Sequence, residues 1–190
     1  MKKNIILAGV GGQGILSIAT VIGEAATTAN LYLKQAEVHG MSQRGGDVQS
    51  NLRLSTEEIF SDLIPKGQAD IIIAMEPMEA LRYVPYLNED GWVITSSEPF
   101  VNIPNYPDFD RVTEDLKRLP RVKSLPIDSL AKEIHAPKSA NMILLGMAAE
   151  AIGIVSATQL REAIGRIFAR KGEQVVADNH KAFDLGLTEK

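Results

Sequence analysis

The chain contains no cysteine. That excludes disulfides, a thiol nucleophile and ligation of an iron–sulfur cluster by this polypeptide. Its three histidines, His39, His135 and His180, lie far apart, with none paired at metal-ligand spacing, so no metal site is expected. A basic surplus is also missing. The formal charge of −4 argues against non-specific nucleic-acid binding, because phosphates are held by an excess of Lys and Arg. No apolar stretch approaches the length of a membrane span. The opening Met1-Lys2-Lys3 and the apolar run after it are too short for a signal peptide and lack its small-residue cleavage pattern. A cytoplasmic protein with no membrane partner is expected. There is no G-x-S-x-G elbow, no P-loop with its Lys-Ser/Thr and no H-E-x-x-H. Ser42 and His39 are close in sequence, but nothing positions a third group for a nucleophilic pair.

What is present suits one globular domain over residues 1–190. Apolar residues make up 45 % of the chain and charged residues 23 %, enough for a real core and an ordinary surface. Asn4 to Ala8 reads as a buried parallel strand. Gly9-Val10-Gly11-Gly12-Gln13-Gly14 follows with G-x-G-x-x-G spacing. A helix then begins near Ile15, with Ile18, Ala19, Ile22, Ala25, Ala26 and Ala29 on one face. Strand, glycine turn and helix stand in the order of a phosphate-cradling turn, in which backbone N–H groups and the positive helix end meet an anion. The dinucleotide fingerprint also requires an acid at the end of the second strand. Lys34 and Gln35 occupy that neighbourhood, with Glu37 the nearest acid. A stand-alone NAD(P)-binding or sensor protein therefore remains one reading, and a turn whose glycines simply allow close packing remains another.

The second strand, Leu31 to Ala36, leads into Glu37-Val38-His39-Gly40-Met41-Ser42-Gln43-Arg44-Gly45-Gly46-Asp47. Few loops combine an imidazole, a guanidinium, an amide, a hydroxyl and three glycines in so short a space. Gly40, Gly45 and Gly46 permit close approach of the main chain to a ligand or another chain. Arg44 offers a planar fork of donors suited to phosphate or carboxylate. Two readings stand: an anion-gripping or interface loop, or a glycine-rich loop whose Arg44 pairs with Glu37 or Asp47.

Further on, Val48 to Leu54 alternates imperfectly, as a half-exposed strand at a sheet edge would. Ala69 to Ala74 is a fully apolar strand, and Pro77 opens a short helix behind Glu76. Asn88 to Gly91 reads as a turn before a strand from Trp92 to Thr95. Ser96 to Asp110 holds three prolines and reads as a long loop anchored by Phe100, Tyr106 and Phe109. A helix from Arg111 to Leu119 and a last strand from Arg121 to Ile127 follow, with Asp128 as the expected N-cap of Ser129 to His135. Ser139 to Ile152 is apolar nearly all round, so it is buried or at an interface, and Asn141 at its start caps it or projects an amide toward a site. Ser156-Ala157-Thr158-Gln159 fits a capping box. A final helix from Gly172 carries Asn179 on its apolar stripe, where an amide bonded to a neighbouring backbone is expected ahead of a site role, and ends at Gly186.

Strands alternate with helices, so the expected architecture is α/β, a Rossmann-like three-layer α/β/α arrangement with a mostly parallel sheet and helices closing the chain. Ligands on such sheets gather at the carboxyl ends of strands. The turn at Gly11 to Gly14 and the loop from His39 to Gly46 both lie there, which places them near each other.

Four stretches then carry a family resemblance: Gly9 to Ser17, Glu37 to Gly46, Asn141 to Gly146, and Asn179-x-x-Ala182-Phe183-x-x-Gly186. Together they resemble the gamma domain of 2-oxoacid:ferredoxin oxidoreductases over nearly the whole chain. As a separate short chain with His39-Gly-Met-Ser-Gln-Arg-Gly-Gly, it is most similar to the beta subunits of the indolepyruvate branch. The resemblance implies a complex that oxidatively decarboxylates a 2-oxoacid, takes up coenzyme A and reduces ferredoxin. Thiamine diphosphate, magnesium and the iron–sulfur clusters would then belong to a larger alpha subunit, with no cofactor and no metal held by this chain alone. It further implies that Gly11, Gly12, Gln13, Gly14, His39, Gly40, Ser42, Gln43, Arg44, Gly45, Gly46, Asn141 and Asn179 bind substrate or coenzyme A or form the interface, with no catalytic residue assigned.

Overall fold

The computed structural model of the protein describes residues 1–39 and 46–189, and of His39 the backbone alone. Alternating burial on apolar strands organises it into three layers. On β1 (Lys2–Val10), Ile5 and Leu7 face one side while Ile6 and Ala8 face the other, and all four are fully buried. β4 (Ala69–Ala74) repeats the pattern, Ile71 and Ile73 against Ile72 and Ala74. Strands buried on both faces need a helical layer on each. The larger layer holds α1 (Ile15–Thr28), α4 (Ile127–Glu133), α5 (Ala140–Ile152), α6 (Ala157–Phe168) and α7 (Glu173–Thr188). The smaller holds α2 (Pro77–Arg82) and α3 (Phe109–Lys117).

With β2 (Tyr32–His39), β3 (Asp47–Ser55), β5 (Leu87–Ser96) and β6 (Val122–Leu125), the described strands form one sheet of order β2-β3-β1-β4-β5-β6. β1, β4, β5 and β6 pair in parallel, whereas β3 runs antiparallel to both neighbours. The sheet is thus mostly parallel, as expected, with one reversed strand.

That reversed strand corrects the reading of Val48 to Leu54 as a half-exposed edge. β3 lies inside the sheet between β2 and β1, and Val48, Ser50, Asn51, Leu52 and Leu54 are buried. Its polar residues suggested exposure because their partners are distant in sequence: Gln35 Nε2 donates to Ser50 Oγ at 3.1 Å, and Arg53 Nε donates to Asn4 Oδ1 at 3.0 Å. β2 takes the edge instead.

Asn88 to Gly91 is also not a turn; it belongs to β5. A register shift opposite Ala69 and Ile71 absorbs these residues, and Asn88 Nδ2 donates to Asp70 Oδ1 at 2.9 Å. Nor does Asp128 cap α4. The N-cap is Pro126, and the first-turn N–H groups of Asp128 and Ser129 donate to Glu98 Oε2 at 2.9 and 3.1 Å. A carboxylate from a remote loop does the work expected of the local one.

Gly186, read as a helix stop, lies inside α7. It serves a crossing. A Cβ there would meet Ile143 O at 2.0 Å, and one on Gly146 would meet Phe183 O at 2.2 Å. α5 and α7 therefore touch backbone to backbone. Ser156 does form the expected capping box with Gln159, by side chain-to-backbone bonds of 2.8 and 3.2 Å. No described helix is long and apolar enough to cross a membrane.

Candidate functional site

The glycine turn closes β1 and opens α1 through two left-handed positions, Gly12 at φ 103° and Gly14 at φ 79°. Gln13 is a brace within this turn. Its Oε1 accepts the Val10 N–H at 2.8 Å, and its Nε2 reaches Met75 O at 3.5 Å. Gly14 is the N-cap of α1, which has no side-chain cap and no acid in its first turn. The Ser17 N–H closes on Gly14 O at 3.1 Å, and no side chain or acid of the helix's own first turn meets its positive end.

Two further chain segments meet this turn. The Gly11 N–H donates to Gly46 O at 2.8 Å, and Val10 pairs with Asp47 across the β1–β3 ladder. Gly46, the described end of the second glycine motif, therefore meets the first at the carboxyl end of β1. Asn141, buried at the start of α5, donates from Nδ2 to Gly14 O at 3.0 Å. Of the two roles expected for Asn141, the structure shows the projected amide. A Cβ on Gly14 would lie 2.8 Å from that nitrogen, so the amide occupies the space glycine leaves.

Outside the turn opens a cleft of about 970 Å³. Gly11 to Gly14 and Asn141 form one wall, and Glu98, Pro99 and Phe100 from the loop after β5 form another. Val175, Asp178 and Asn179 of α7 also line it. Asn179 is 5 % exposed and donates from Nδ2 to Val175 O at 2.9 Å, a bond to its own helix backbone. Lys132, Lys138 and Lys171 also line the cleft. Lys171 lies 5.1 Å from the Phe168 ring centroid. Lys132 faces Glu98 and Asp128. Lys138 has no ion-pair partner among the described residues.

The cleft's carboxylates differ in their readiness to hold a proton. Burial pushes the Glu98 carboxyl up, but the Ser129 hydroxyl, the Ser129 and Asp128 N–H groups and the Lys132 ammonium outweigh it and leave Glu98 below the usual range. Asp128 goes the other way, raised by burial and by the charge of Glu98. Behind the cleft, Glu76 is fully buried. Its Oε2 caps α2 by accepting the Glu79 N–H at 2.9 Å, and its Oε1 accepts the Phe100 N–H at 3.4 Å and the Tyr106 hydroxyl. Burial, then the bond to Glu76, raises the Tyr106 phenol far above its ordinary range. Glu79 next door pairs with Arg82 through bonds of 2.8 and 3.1 Å, yet burial outweighs that pairing and raises its carboxyl.

Gly11, Gly12, Gln13, Gly14, Asn141 and Asn179 are thus brought together around one cleft, with Gly46 against Gly11. Gly40, Ser42, Gln43, Arg44 and Gly45, and the His39 side chain, lie outside the described residues. Glu76, Glu98, Phe100 and the three lysines were not singled out from sequence as site residues. The prolines of the loop after β5 were the one available signal, since they marked a long excursion carrying an aromatic anchor.

The strand order also bears on the nucleotide reading. In the dinucleotide fold the second strand lies beside the first, so its terminal acid reaches the ribose. Here β3 separates them, and at about 4.8 Å per strand the end of β2 stands roughly 10 Å from β1.

Comparison with known proteins places this geometry. The indolepyruvate oxidoreductase subunit IorB of Pyrococcus horikoshii is 36 % identical over 197 residues, covering 98 % of this chain and 96 % of its own. The gamma subunit of a keto/oxoacid ferredoxin oxidoreductase from Geobacter sulfurreducens has a similar structure, with TM-score 0.69 and 27 % identity over 97 % of this chain and 95 % of that one. A 2-oxoglutarate:ferredoxin oxidoreductase from Magnetococcus marinus, solved with 2-oxoglutarate, coenzyme A and succinyl-CoA, superimposes with TM-score 0.75 at 25 % identity. The match covers 98 % of this chain but 30 % of that longer polypeptide. The pyruvate ferredoxin/flavodoxin oxidoreductase family matches residues 4–189, and the chain belongs to that family.

Proposed function

We propose that the chain is the non-cofactor-bearing subunit of an indolepyruvate, or more broadly arylpyruvate, ferredoxin oxidoreductase. The complex oxidatively decarboxylates the 2-oxoacid to an acyl-CoA and passes two electrons to ferredoxin. The observation that carries this reading is the end-to-end match to an indolepyruvate oxidoreductase subunit. The donor set agrees with the division of labour: without a cysteine this chain holds no iron–sulfur cluster. Thiamine diphosphate with its magnesium, and the clusters, reside in a larger alpha subunit in the cytoplasm, and that subunit delivers electrons to ferredoxin. The chain acts as one gamma-type domain over residues 1–190 and is inactive alone.

Within the complex, the cleft beside the glycine turn receives coenzyme A. Its volume suits an extended ligand. The uncapped start of α1 and the ammonium groups of Lys132, Lys138 and Lys171 offer donors to phosphates. Asn141 holds the turn in shape, and Asn179 lines the same cleft. Arg44 with its neighbouring glycines serves an anion at the same edge, on the substrate, on coenzyme A or on the partner.

The test is purification of the tagged chain from an anaerobic lysate with its partner, assayed for iron, thiamine diphosphate and coenzyme A-dependent reduction of ferredoxin by indolepyruvate. Recovery of an iron-rich partner with that turnover supports the proposal. A partner-free protein that binds NAD(P) would replace it with the sensor reading. Arg44→Ala that leaves assembly and turnover intact would remove Arg44 from the site; loss of assembly alone would make it an interface residue.

A further inference from the structure

Phe100 is 45 % exposed although it lies on a cleft wall, and its backbone is held from both sides. Two residues before it, Glu98 accepts three hydrogen bonds from the start of α4: the N–H groups of Asp128 and Ser129, and the Ser129 hydroxyl at 2.5 Å. The Phe100 N–H itself donates to Glu76 Oε1, and six residues on the Tyr106 hydroxyl closes on the same oxygen. Pro99 between the two anchors fixes one backbone angle and keeps Glu98 extended. The loop is thus pinned where it carries an aromatic ring to the cleft.

Glu76 is an unusual anchor. It is fully buried, and no Lys or Arg pairs with it among the described residues, since Arg82 is engaged by Glu79. Its carboxyl is satisfied by one N–H from its own helix start and two donors from the loop. A buried carboxyl without a cation is costly unless such donors are fixed. The loop therefore has one favoured position. A half-exposed aromatic residue on a pinned backbone, lining the same cleft as Lys132, Lys138 and Lys171, is suited to a nucleotide: the ring face takes the base and the cations take the phosphates.

We propose that Phe100 is the base-stacking residue of this cleft, and that Glu76, acting through the Tyr106 hydroxyl and the Phe100 N–H, is the residue that positions it. The proposal rests on the reading that the cleft takes coenzyme A, and it assigns the adenine end of that ligand to Phe100.

The test uses the assembled complex, with coenzyme A and with 4′-phosphopantetheine, which keeps the thiol arm and lacks the nucleotide. Base–aromatic stacking of the usual strength predicts that Phe100→Ala raises KM for coenzyme A about tenfold and leaves kcat unchanged. KM for phosphopantetheine should not move, and Phe100→Trp should restore the wild-type value. Tyr106→Phe removes the hydroxyl alone and should raise KM for coenzyme A about threefold. Because it acts through Phe100, the double variant should be no worse than Phe100→Ala. Phe100→Leu keeps apolar volume without a π face and decides the matter if the alanine variant does not assemble. Equal KM changes for both ligands, or additive effects of Tyr106→Phe and Phe100→Ala, overturn the inference while leaving the proposed function standing. A wild-type complex that makes no use of coenzyme A overturns both.

Discussion

Gly186→Ala separates two physical arguments that predict opposite signs. By intrinsic propensity, alanine inside a helix is better than glycine by about 1 kcal/mol. Gly186 sits within α7, so local reasoning predicts stabilisation. The crossing with α5 predicts the reverse. A Cβ at Gly186 would stand 2.0 Å from Ile143 O and 3.0 Å from Met147 N, where ordinary contact begins at 3.4 Å. Both obstacles are backbone atoms of a buried helix, so neither can swing aside. Overpacking of this kind typically costs about 1–3 kcal/mol, and rigid backbone belongs at the upper end. Net of propensity, we expect a loss of about 2 kcal/mol, or about 4–8 °C in Tm for a chain of this size. Gly165→Ala in α6 is the control. Its nearest neighbours are His180 Cε1 and Nε2 at 3.7 Å, ordinary contact, so it should gain about 0.5–1 kcal/mol. Urea or thermal unfolding of the two variants reads the difference directly. If Gly186→Ala raises Tm as Gly165→Ala does, the backbone-to-backbone crossing is wrong.

Ser156→Ala should cost about 1 kcal/mol by urea denaturation, because it removes half of a complete capping box. Asn141→Ala should also cost about 1 kcal/mol, since it leaves the Gly14 carbonyl without its side-chain donor. Glu98 predicts a pH dependence. Its folded pKa lies below the ordinary 4.5, so it contributes stability above that value and loses it as pH falls through the lowered one. Glu98→Gln should therefore flatten the acid limb of a stability–pH profile below 4.5, and an unchanged limb would count against the three hydrogen bonds to Glu98.

Local chemistry explains what could be read from the sequence. β4 runs from Ala69 to Ala74, as its apolar composition indicated, because burial on both faces leaves a continuous signal. The turn before α1 and the capping box at Ser156 could be read because each is completed within four residues. The meeting of Gly46 with the first glycine motif followed from the rule that strand ends share an edge, and the bond from Gly11 to Gly46 agrees with it.

Other features depended on partners far away in the chain. Ser50, Asn51 and Arg53 looked like the exposed side of an edge strand; only the sheet order shows β3 inside, with Gln35 and Asn4 as partners. Asp128 had the right chemistry for a cap, but Glu98, 30 residues away, arrives first. Gly186 carried a stop signal, and its meaning changed once Ile143 lay against it. The cleft is the extreme case. Lys132, Lys138, Phe100 and Glu76 carry no shared pattern, and their relation exists only after four chain segments fold onto one sheet edge. Most elements and the family could be read from the chain alone, because hydrophobic period, turn chemistry and motif order are local. Strand order, helix approach and the wall of the cleft were decided by tertiary structure, because each depends on which distant backbone or carboxylate fills the space.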